Sequence, residues 1–314
     1  MSNNQEEILQ NEIPRDEIPR NAIPGEVFED EKVRTPFSEF VRKFKNQKTA
    51  LIALGFIVFL IFIAFTAYKI VPYRFDEYDY SSVLKPPSGK HWFGTDEFGR
   101  DIFSRILCGT RISLSVGLFS VTMGAIFGTI LGLISGYYGK ILDSVIMRLC
   151  DTLFAFPGII LAIAIVALLG PGIYNVVIAV TVFGTPSFAR LVRSSTLAVK
   201  DSTFVLAARN SGCGDLRILF RHILPSTLPN IIIQFSMNIG TSILTASGLS
   251  FLGMGAQPPM PEWGLMLSTG RNYMLTTWHM TLFPGLAIFL TVLCFNLLGD
   301  GLRDALDPKL SGGE

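Results

Sequence analysis

The chain has 314 residues, of which 49% are hydrophobic and only 16% are charged, and its formal net charge is +1. Soluble domains carry about 25% charged residues, whereas here long blocks of sequence contain no charge at all. This composition excludes an ordinary soluble protein. The basic residues are not gathered on one face, so it also gives no indication of a nucleic-acid partner.

Residue types that carry chemistry are scattered along the chain. The cysteines form no Cys-x-x-Cys pair and no cluster with histidine at zinc-site spacing, so we expect neither a disulfide framework nor a metal site. A phosphate-binding loop needs Gly-x-x-x-x-Gly-Lys-Ser/Thr. The nearest match, Gly139-Lys140, has Ile134 and Ile141 at the other required positions. Because no serine or cysteine lies near a partner base, we expect no catalytic residue and no cofactor bound by this chain.

The N-terminal region is polar and then basic. Residues 1–31 contain the imperfect repeat EIPRD, EIPRN, AIPGE and too few apolar residues to form a core, which predicts a disordered tail. Residues 32–48 carry Phe37, Phe40 and Phe44 at helical spacing among lysines and arginines. This pattern predicts an amphipathic helix in the membrane interface, with a solvated basic linker as the alternative.

Uncharged blocks of about 20 residues, long enough to cross a ~30 Å hydrocarbon core as a helix, recur along the chain. The first occupies 49–68, and a longer block at 152–189 is broken by Leu-Gly-Pro-Gly at 169–172, which predicts a helical hairpin. The remaining blocks lie at 112–139, 229–252 and 281–299. We therefore predict an all-α polytopic membrane protein with six transmembrane helices.

Lysine and arginine residues set the expected orientation. With the N-terminus inside, the cytoplasmic segments near the spans, 32–48, 139–148, 190–221 and the C-terminal tail, hold 16 of these residues, and the outer segments 73–111 and 253–280 hold seven. We therefore expect both termini in the cytoplasm. The predicted organisation begins with a disordered cytoplasmic tail at 1–31, an interfacial helix at 32–48 and the first transmembrane helix at 49–69. An extracytoplasmic segment at 70–111, a core of five helices at 112–300 and a second cytoplasmic tail at 301–314 follow.

The centres of the predicted spans contain no ionisable residue. Ion-coupled carriers usually place such a residue at mid-membrane as a relay or counter-ion, so an ion-coupled secondary carrier is the less favoured alternative. Arg148 and Asp151 lie three residues apart at the start of the third span. We expect them to pair on one helical face near the cytoplasm.

Glycines recur every fourth residue along one face of the second span. They are Gly124, Gly128, Gly132 and Gly136. Lipid tails give helices no hydrophobic reason to associate, so close backbone approach through small residues provides packing instead. We expect this ridge to be a helix-packing surface.

The outer segment 253–280 is rich in proline. Pro258, Pro259 and Pro261 forbid a regular helix, and Trp263 and Trp278 suit an interfacial depth. We predict a short re-entrant or surface segment here, with a plain connecting loop as the alternative.

The segment at 201–229, DSTFVLAARNSGCGDLRILFRHILPSTLP, contains two predicted short helices. Asp201 or Ser202 can cap the first, which runs from 203 to 211 and which Gly212 can end in a left-handed conformation. Asp215 is a candidate cap for the second helix, and Pro225 is expected to stop it. One apolar stripe at i, i+3, i+4 and i+7 is predicted on it, formed by Leu216, Leu219, Phe220 and Ile223. Two such helices in a cytosolic loop favour a docking partner, although a helix lying on the membrane surface is the alternative.

This segment resembles the EAA loop of ABC importer permeases, Glu-Ala-Ala-x3-Gly-x9-Ile-x-Leu-Pro. The residues that stand at the positions of this motif are Leu206, Ala207, Ala208, Gly212, His222, Ile223, Leu224 and Pro225. Leu206 replaces the glutamate and His222 replaces the first isoleucine, while the spacing is intact. The resemblance implies that the loop at 195–228, including Asp215 and Arg217, couples the permease to an ATPase.

Three other motifs make the resemblance narrower: HWFGTDEFGRDIFSRILCGTRISLSVG at 91–117, SGLSFLGMGAQPPMPEWGLML at 247–267 and FNLLGDGLRDALDPKL at 295–310. They resemble the dipeptide, oligopeptide and nickel permease group, and within it the second, C-type subunit of the permease pair. The resemblance covers about residues 35–310.

Membership would imply a type I ABC importer permease fold with cytoplasmic coupling helices, in the bacterial cytoplasmic (inner) membrane. The implied partners are a homologous second permease, two cytosolic ATPases that hold ATP and Mg²⁺, and an extracytoplasmic substrate-binding protein. The implied function is half of a translocation pathway for di- and oligopeptides. Nickel chelates, glutathione-like peptides or other small solutes are the alternatives. A non-transporting membrane scaffold would leave the loop at 201–229 unexplained.

Overall fold

The computed structural model describes residues 36–306, which are mostly helical and contain no strand beyond one isolated bridge. The predicted disordered tail at 1–31 lies outside these residues. Of the described residues, 40–306 belong to one compact unit. The helices of the described part are α1 (Pro36–Asn46), α2 (Lys48–Ile70), α3 (Ile102–Tyr138), α4 (Lys140–Phe154), α5 (Gly158–Leu169), α6 (Ile173–Val199), α7 (Thr203–Asn210), α8 (Asp215–Ile218), α9 (Leu224–Phe251), α10 (Trp263–Gly270) and α11 (His279–Leu306).

Four of the described helices, α2, α3, α6 and α11, are long and apolar enough to cross a membrane. Helices α4 and α5 meet at 92° and make a fifth crossing if they are taken as one span. The span predicted at 229–252 corresponds to α9, which has 28 residues and many serine, threonine, asparagine and glutamine side chains that lower its hydropathy. The chain is therefore an all-α polytopic membrane protein, as predicted.

Helix α3 is at the centre of the fold. It packs most extensively against α6 and also contacts α2 and α9, while α11 packs against α9 and α2. A buried apolar cluster joins these helices through residues such as Ile57, Val121, Phe188 and Ile243. Pro186 and Pro284 lie inside α6 and α11, so these prolines are tolerated within long helices.

Helix α3 begins at Ile102, earlier than the predicted start at residue 112. Asp101 caps it, because its Oδ2 accepts the backbone N–H of Ser104 at 2.8 Å. Arg105 lies in the first turn and is 3% exposed. The prediction begins the span after Arg111, where the uncharged block starts, and so leaves the turn with Arg105 outside it. It is tolerated there because its guanidinium donates to the carbonyl of Phe75 at 2.8 Å and lies 3.6 Å from the carboxylate of Asp96.

The segment 253–280 is partly buried, and its helix α10 packs between α9 and α11. Trp263 is 1% exposed, and its indole N–H donates to the carbonyl of Ile106 at 3.0 Å. A buried acceptor thus satisfies the one polar group of Trp263. Trp278 is 53% exposed.

Glu262 holds this arrangement together. Its carboxylate accepts the N–H groups of Gly264 at 3.0 Å and Leu265 at 2.8 Å, which caps α10. It also accepts the hydroxyls of Ser113 on α3 at 3.3 Å and Ser247 on α9 at 3.4 Å. Burial raises the pKa of this carboxyl, and the two backbone donors oppose that shift. One buried side chain thus joins three helices.

Replacing Glu262 with alanine should destabilise the protein. The change removes a helix cap and leaves buried N–H donors unpaired, which costs ~2–4 kcal/mol. The measurement is the thermal unfolding midpoint in detergent. The control is Glu77→Ala, which removes an exposed carboxylate from a turn. Equal midpoints for the two variants would contradict the account.

Candidate functional site

The loop between α6 and α9 is built as two short helices joined by a glycine turn. Helix α7 ends at Asn210, and Gly212 has the predicted left-handed conformation, with φ +78°. A Cβ at Gly212 would meet no atom within 4 Å. The glycine is therefore required by its backbone conformation and not by a close neighbour.

The second helix of the loop does not end at Pro225, where the sequence predicts that it stops. Helix α8 passes through a π-helical turn, Leu219–Ile223, directly into α9. A π turn is wider than an α turn, so it separates the proline ring from the carbonyl one turn back, with which a proline inside an α-helix clashes. Helix α8 is consequently a continuous extension of α9, whereas α7 is separated from it by the glycine turn.

The inner face of the loop is anchored to the helices that lead into the membrane. Val205, Ile218 and Ile223 are fully buried, and they pack with Leu133 of α3 and Val192 of α6. We call these five residues and the buried Leu219 the anchor cluster. Ala208 and Leu224 also pack against it. The loop is therefore packed against α3 and α6 and is continuous with α9.

The predicted apolar stripe is wrong in two of its four members. Leu219 and Ile223 are buried, but Leu216 is 70% exposed and Phe220 is 57% exposed, while Ile218 is buried in their place. The stripe assumed a period of 3.6 residues, and the π turn breaks that period.

A polar contact ties the loop to the end of α3. The hydroxyl of Tyr137 donates to Oδ1 of Asp215 at 2.8 Å, and Arg209 donates to the same hydroxyl at 3.3 Å. Gly214, and not Asp215, occupies the cap position of α8, so Asp215 serves a tertiary contact instead. The sequence of the loop gave no sign of Tyr137, which directly follows the glycine ridge.

The exposed surface of the loop carries four large apolar side chains among polar and charged ones. Phe204 is 47% exposed and Leu206 is 40% exposed, and with Leu216 and Phe220 they form what we call the outer apolar face. The remaining predicted site residues divide by exposure: His222 is half-buried, and those that are exposed are Ala207, Gly212, Arg217 and Pro225.

The glycine ridge of α3 lies against α6. A Cβ at Gly128 would be 2.5 Å from the Cβ of Phe188, one at Gly132 would be 2.6 Å from the carbonyl oxygen of Ala189, and one at Gly136 would be 2.7 Å from the Cβ of Thr196. A Cβ at Gly124 would make only ordinary contact, at 3.5 Å. The two backbones are therefore in closest contact along the C-terminal half of α3, which is also the half that contacts the loop between α6 and α9.

Helix α4 is held to α6 by ion pairs. Arg193 pairs with Asp143, which also accepts the hydroxyl of Ser135 at 2.5 Å. Asp151 pairs with Arg190 at 2.5 Å. The predicted pair of Arg148 with Asp151 is therefore wrong, because a partner on the neighbouring helix α6 takes the carboxylate.

Two family models match the chain. Residues 128–312 match the binding-protein-dependent transport system inner membrane component, and residues 35–87 match the N-terminal TM domain of oligopeptide transport permease C. The two matches cover most of the described residues.

Curated relatives match over nearly their whole length. The glutathione transport system permease protein GsiD of Pectobacterium atrosepticum is 58% identical over 285 residues, which covers 90% of this chain and 95% of that protein. The protein of the same name from Escherichia coli is 56% identical over 283 residues, which covers 90% of this chain and 93% of that protein.

Among solved structures, an inward-facing MetNI methionine ABC transporter is similar with a TM-score of 0.54 and 18% identity, covering 66% of this chain and 98% of that chain. A second crystal form of that transporter gives a TM-score of 0.53, also at 18% identity, and covers 65% of this chain and 97% of that chain. At this identity the likeness establishes the fold alone, and it confirms the predicted type I permease architecture.

The glycine ridge generates a prediction with an internal control. Gly128→Ala should cost ~1–3 kcal/mol, because the added methyl group overlaps Phe188 and tightly packed helices tolerate overpacking poorly. Gly124→Ala adds the same methyl group to the same face of α3, where there is room. Thermal unfolding in detergent compares the two variants. A similar loss of stability in both would mean that the close contact with α6 does not limit the fold.

Proposed function

Because the chain belongs to the family of binding-protein-dependent transport system inner membrane components, we propose that it forms half of the pathway by which an ATP-driven importer takes up glutathione or a closely related short peptide. The chain is a permease subunit of an ABC importer and a multi-pass inner membrane protein. What we propose beyond this is the identity of the substrate, the partner subunits and the orientation in the membrane.

The single observation that carries the substrate is the 58% identity to a glutathione transport permease over 95% of that protein's length. Glutathione is itself a tripeptide, so this assignment narrows the peptide class predicted from the sequence. Di- and oligopeptides are the second candidate, supported by the match to the N-terminal domain of an oligopeptide permease. Nickel chelates are the third.

The partners we assign are a homologous second permease, two ATPases that hold ATP and Mg²⁺, and an extracytoplasmic binding protein. The family description itself names dependence on a binding protein. Among the described residues, no group of three or more histidine, cysteine or acidic side chains could hold a metal ion. We place ATP hydrolysis and its metal in the separate ATPase subunits, as the family resemblance implies.

We assign the loop between α6 and α9 as the coupling element. Its outer apolar face provides unsatisfied hydrophobic surface for an ATPase groove, and its inner face is fixed to α3, α6 and α9 through the anchor cluster. Closure of an ATPase dimer would move the loop, and the rigid connection would convert this motion into alternating access of the pathway. The chemical energy is that of ATP, and this chain transmits it.

Transport into vesicles tests the function directly. The vesicles contain this chain, its sister permease, the ATPases and the binding protein, with labelled glutathione as the probe. We expect uptake that requires both ATP and the binding protein and that excess unlabelled glutathione suppresses more strongly than an unrelated dipeptide. Uptake of a nickel chelate with no uptake of glutathione would contradict the proposed substrate.

Coupling is tested by Leu216→Asp. This residue is 70% exposed, so the change should leave folding intact while placing a charge in the apolar contact with the ATPase. We expect reduced co-purification of the ATPases and a loss of uptake. The matched control is Leu275→Asp, a fully exposed leucine in the outer segment. If both variants retain the ATPases equally, the loop is not the docking surface.

Orientation is tested by thiol labelling in a Cys213→Ser background, in which the other three native cysteines are buried. Single cysteines replace the exposed Ser88 and Ser226. An impermeant reagent should label position 88 in intact cells and leave position 226 unlabelled until the cells are opened, because the lysine and arginine bias places the latter inside. Equal labelling of both positions would refute the orientation.

A further inference from the structure

A polar cavity lies inside the bundle, away from the loop. It has a volume of about 190 Å³ and is enclosed by α3, α6 and α9. Its polar lining consists of Ser120, Ser187, Asn238, Thr241, Ser242 and Thr245. No charged residue lines it. Six hydrogen-bonding side chains therefore line one cavity, and a buried polar group without a partner is costly.

Asn238 is the member of this lining with a buried side-chain atom that lacks a partner. Its side-chain Nδ2 is buried and donates to no acceptor among the described residues. An amide N–H in this position costs free energy unless an acceptor is supplied. Other lining groups are already occupied: the hydroxyl of Ser120 donates to the carbonyl of Val177 at 3.4 Å, and that of Thr245 to the carbonyl of Thr241 at 2.8 Å. The unpaired donor is therefore a specific feature of the cavity.

Two glycines keep the cavity open. A Cβ at Gly184 on α6 would meet no atom within 4 Å, and one at Gly124 on α3 would make only ordinary contact. Gly124 is thus the one member of the ridge that lines the cavity instead of packing tightly. The space exists because both positions lack side chains.

We infer that this cavity is a binding site for the peptide groups of the transported solute, and that Asn238 donates a hydrogen bond to a peptide carbonyl there. Hydroxyl groups both donate and accept, so the serines and threonines suit the N–H and C=O groups of a peptide bond. A neutral lining suits the amide backbone and not a charged terminus. Complete small-molecule sites measure about 300–1,000 Å³, so a cavity of about 190 Å³ fits one wall of a site that the sister permease completes.

This inference rests on the proposed transport function, and the experiment distinguishes a failure of the inference from a failure of that function. Uptake of labelled glutathione is measured in vesicles that contain the complete complex, with Asn238→Leu as the test variant and Asn238→Ser as a conservative variant that keeps a hydrogen-bond donor. The control is Asn230→Leu, the same change at an exposed position of the same helix. Assembly with the sister permease is measured in parallel by co-purification.

We expect Asn238→Leu to assemble normally and to lower the maximal uptake rate about tenfold, the effect of one lost hydrogen bond. The glutathione concentration at half-maximal rate should stay constant, because the binding protein sets it. Asn238→Ser should recover most of the rate. As a second variant that leaves every polar group in place, Gly184→Leu should also slow uptake by filling the space.

Normal uptake by both Asn238→Leu and Gly184→Leu, in vesicles where the unaltered complex transports glutathione, would overturn the inference and leave the proposed function standing. Failure of Asn238→Leu to assemble with the sister permease would also overturn it, because the cavity would then be a packing surface between the two permeases. No uptake by the unaltered complex would instead contradict the proposed function itself.

Discussion

The close approach of α3 and α6 is the contact on which the rest of the structure depends. Gly128, Gly132 and Gly136 bring the two backbones so near that an added methyl group would overlap atoms of α6. Lipid gives no hydrophobic drive for this association, so dispersion between closely packed backbones must provide it. At one end of the pair, Gly124 and Gly184 leave the polar cavity open, and at the other end the pair holds the loop.

This geometry joins two sites with opposite requirements. In its proposed coupling role the loop must be rigid relative to the helices, and its buried anchor cluster and the contact from Tyr137 to Asp215 favour that rigidity. In its proposed binding role the cavity must tolerate changes of shape, and its neutral hydroxyl lining would let hydrogen bonds exchange without a charge being desolvated. One helix pair thus connects a stiff element to an adaptable one.

The sequence predicted the features that depend on local pattern. Charge-free blocks predicted a polytopic helical protein, glycine spacing predicted the ridge, and Gly212 was predicted to be left-handed. The features that were missed depend on contacts distant in sequence. Arg105 enters α3 because remote carbonyls satisfy its charge, Asp151 pairs across to α6, and the π turn shifts which loop residues are buried. No local window contains the partners that decide these outcomes.

The central claim is that the loop and α6 move as one body. Spin labels at the exposed Arg217 in the loop and the exposed Tyr174 at the far end of α6 report their separation in the complete complex, with and without ATP. We predict that this distance distribution does not change, while the distance between the loops of the two permeases shortens as the ATPases close. A change in the separation of Arg217 from Tyr174, with the distance between the two loops unaltered, would contradict the account.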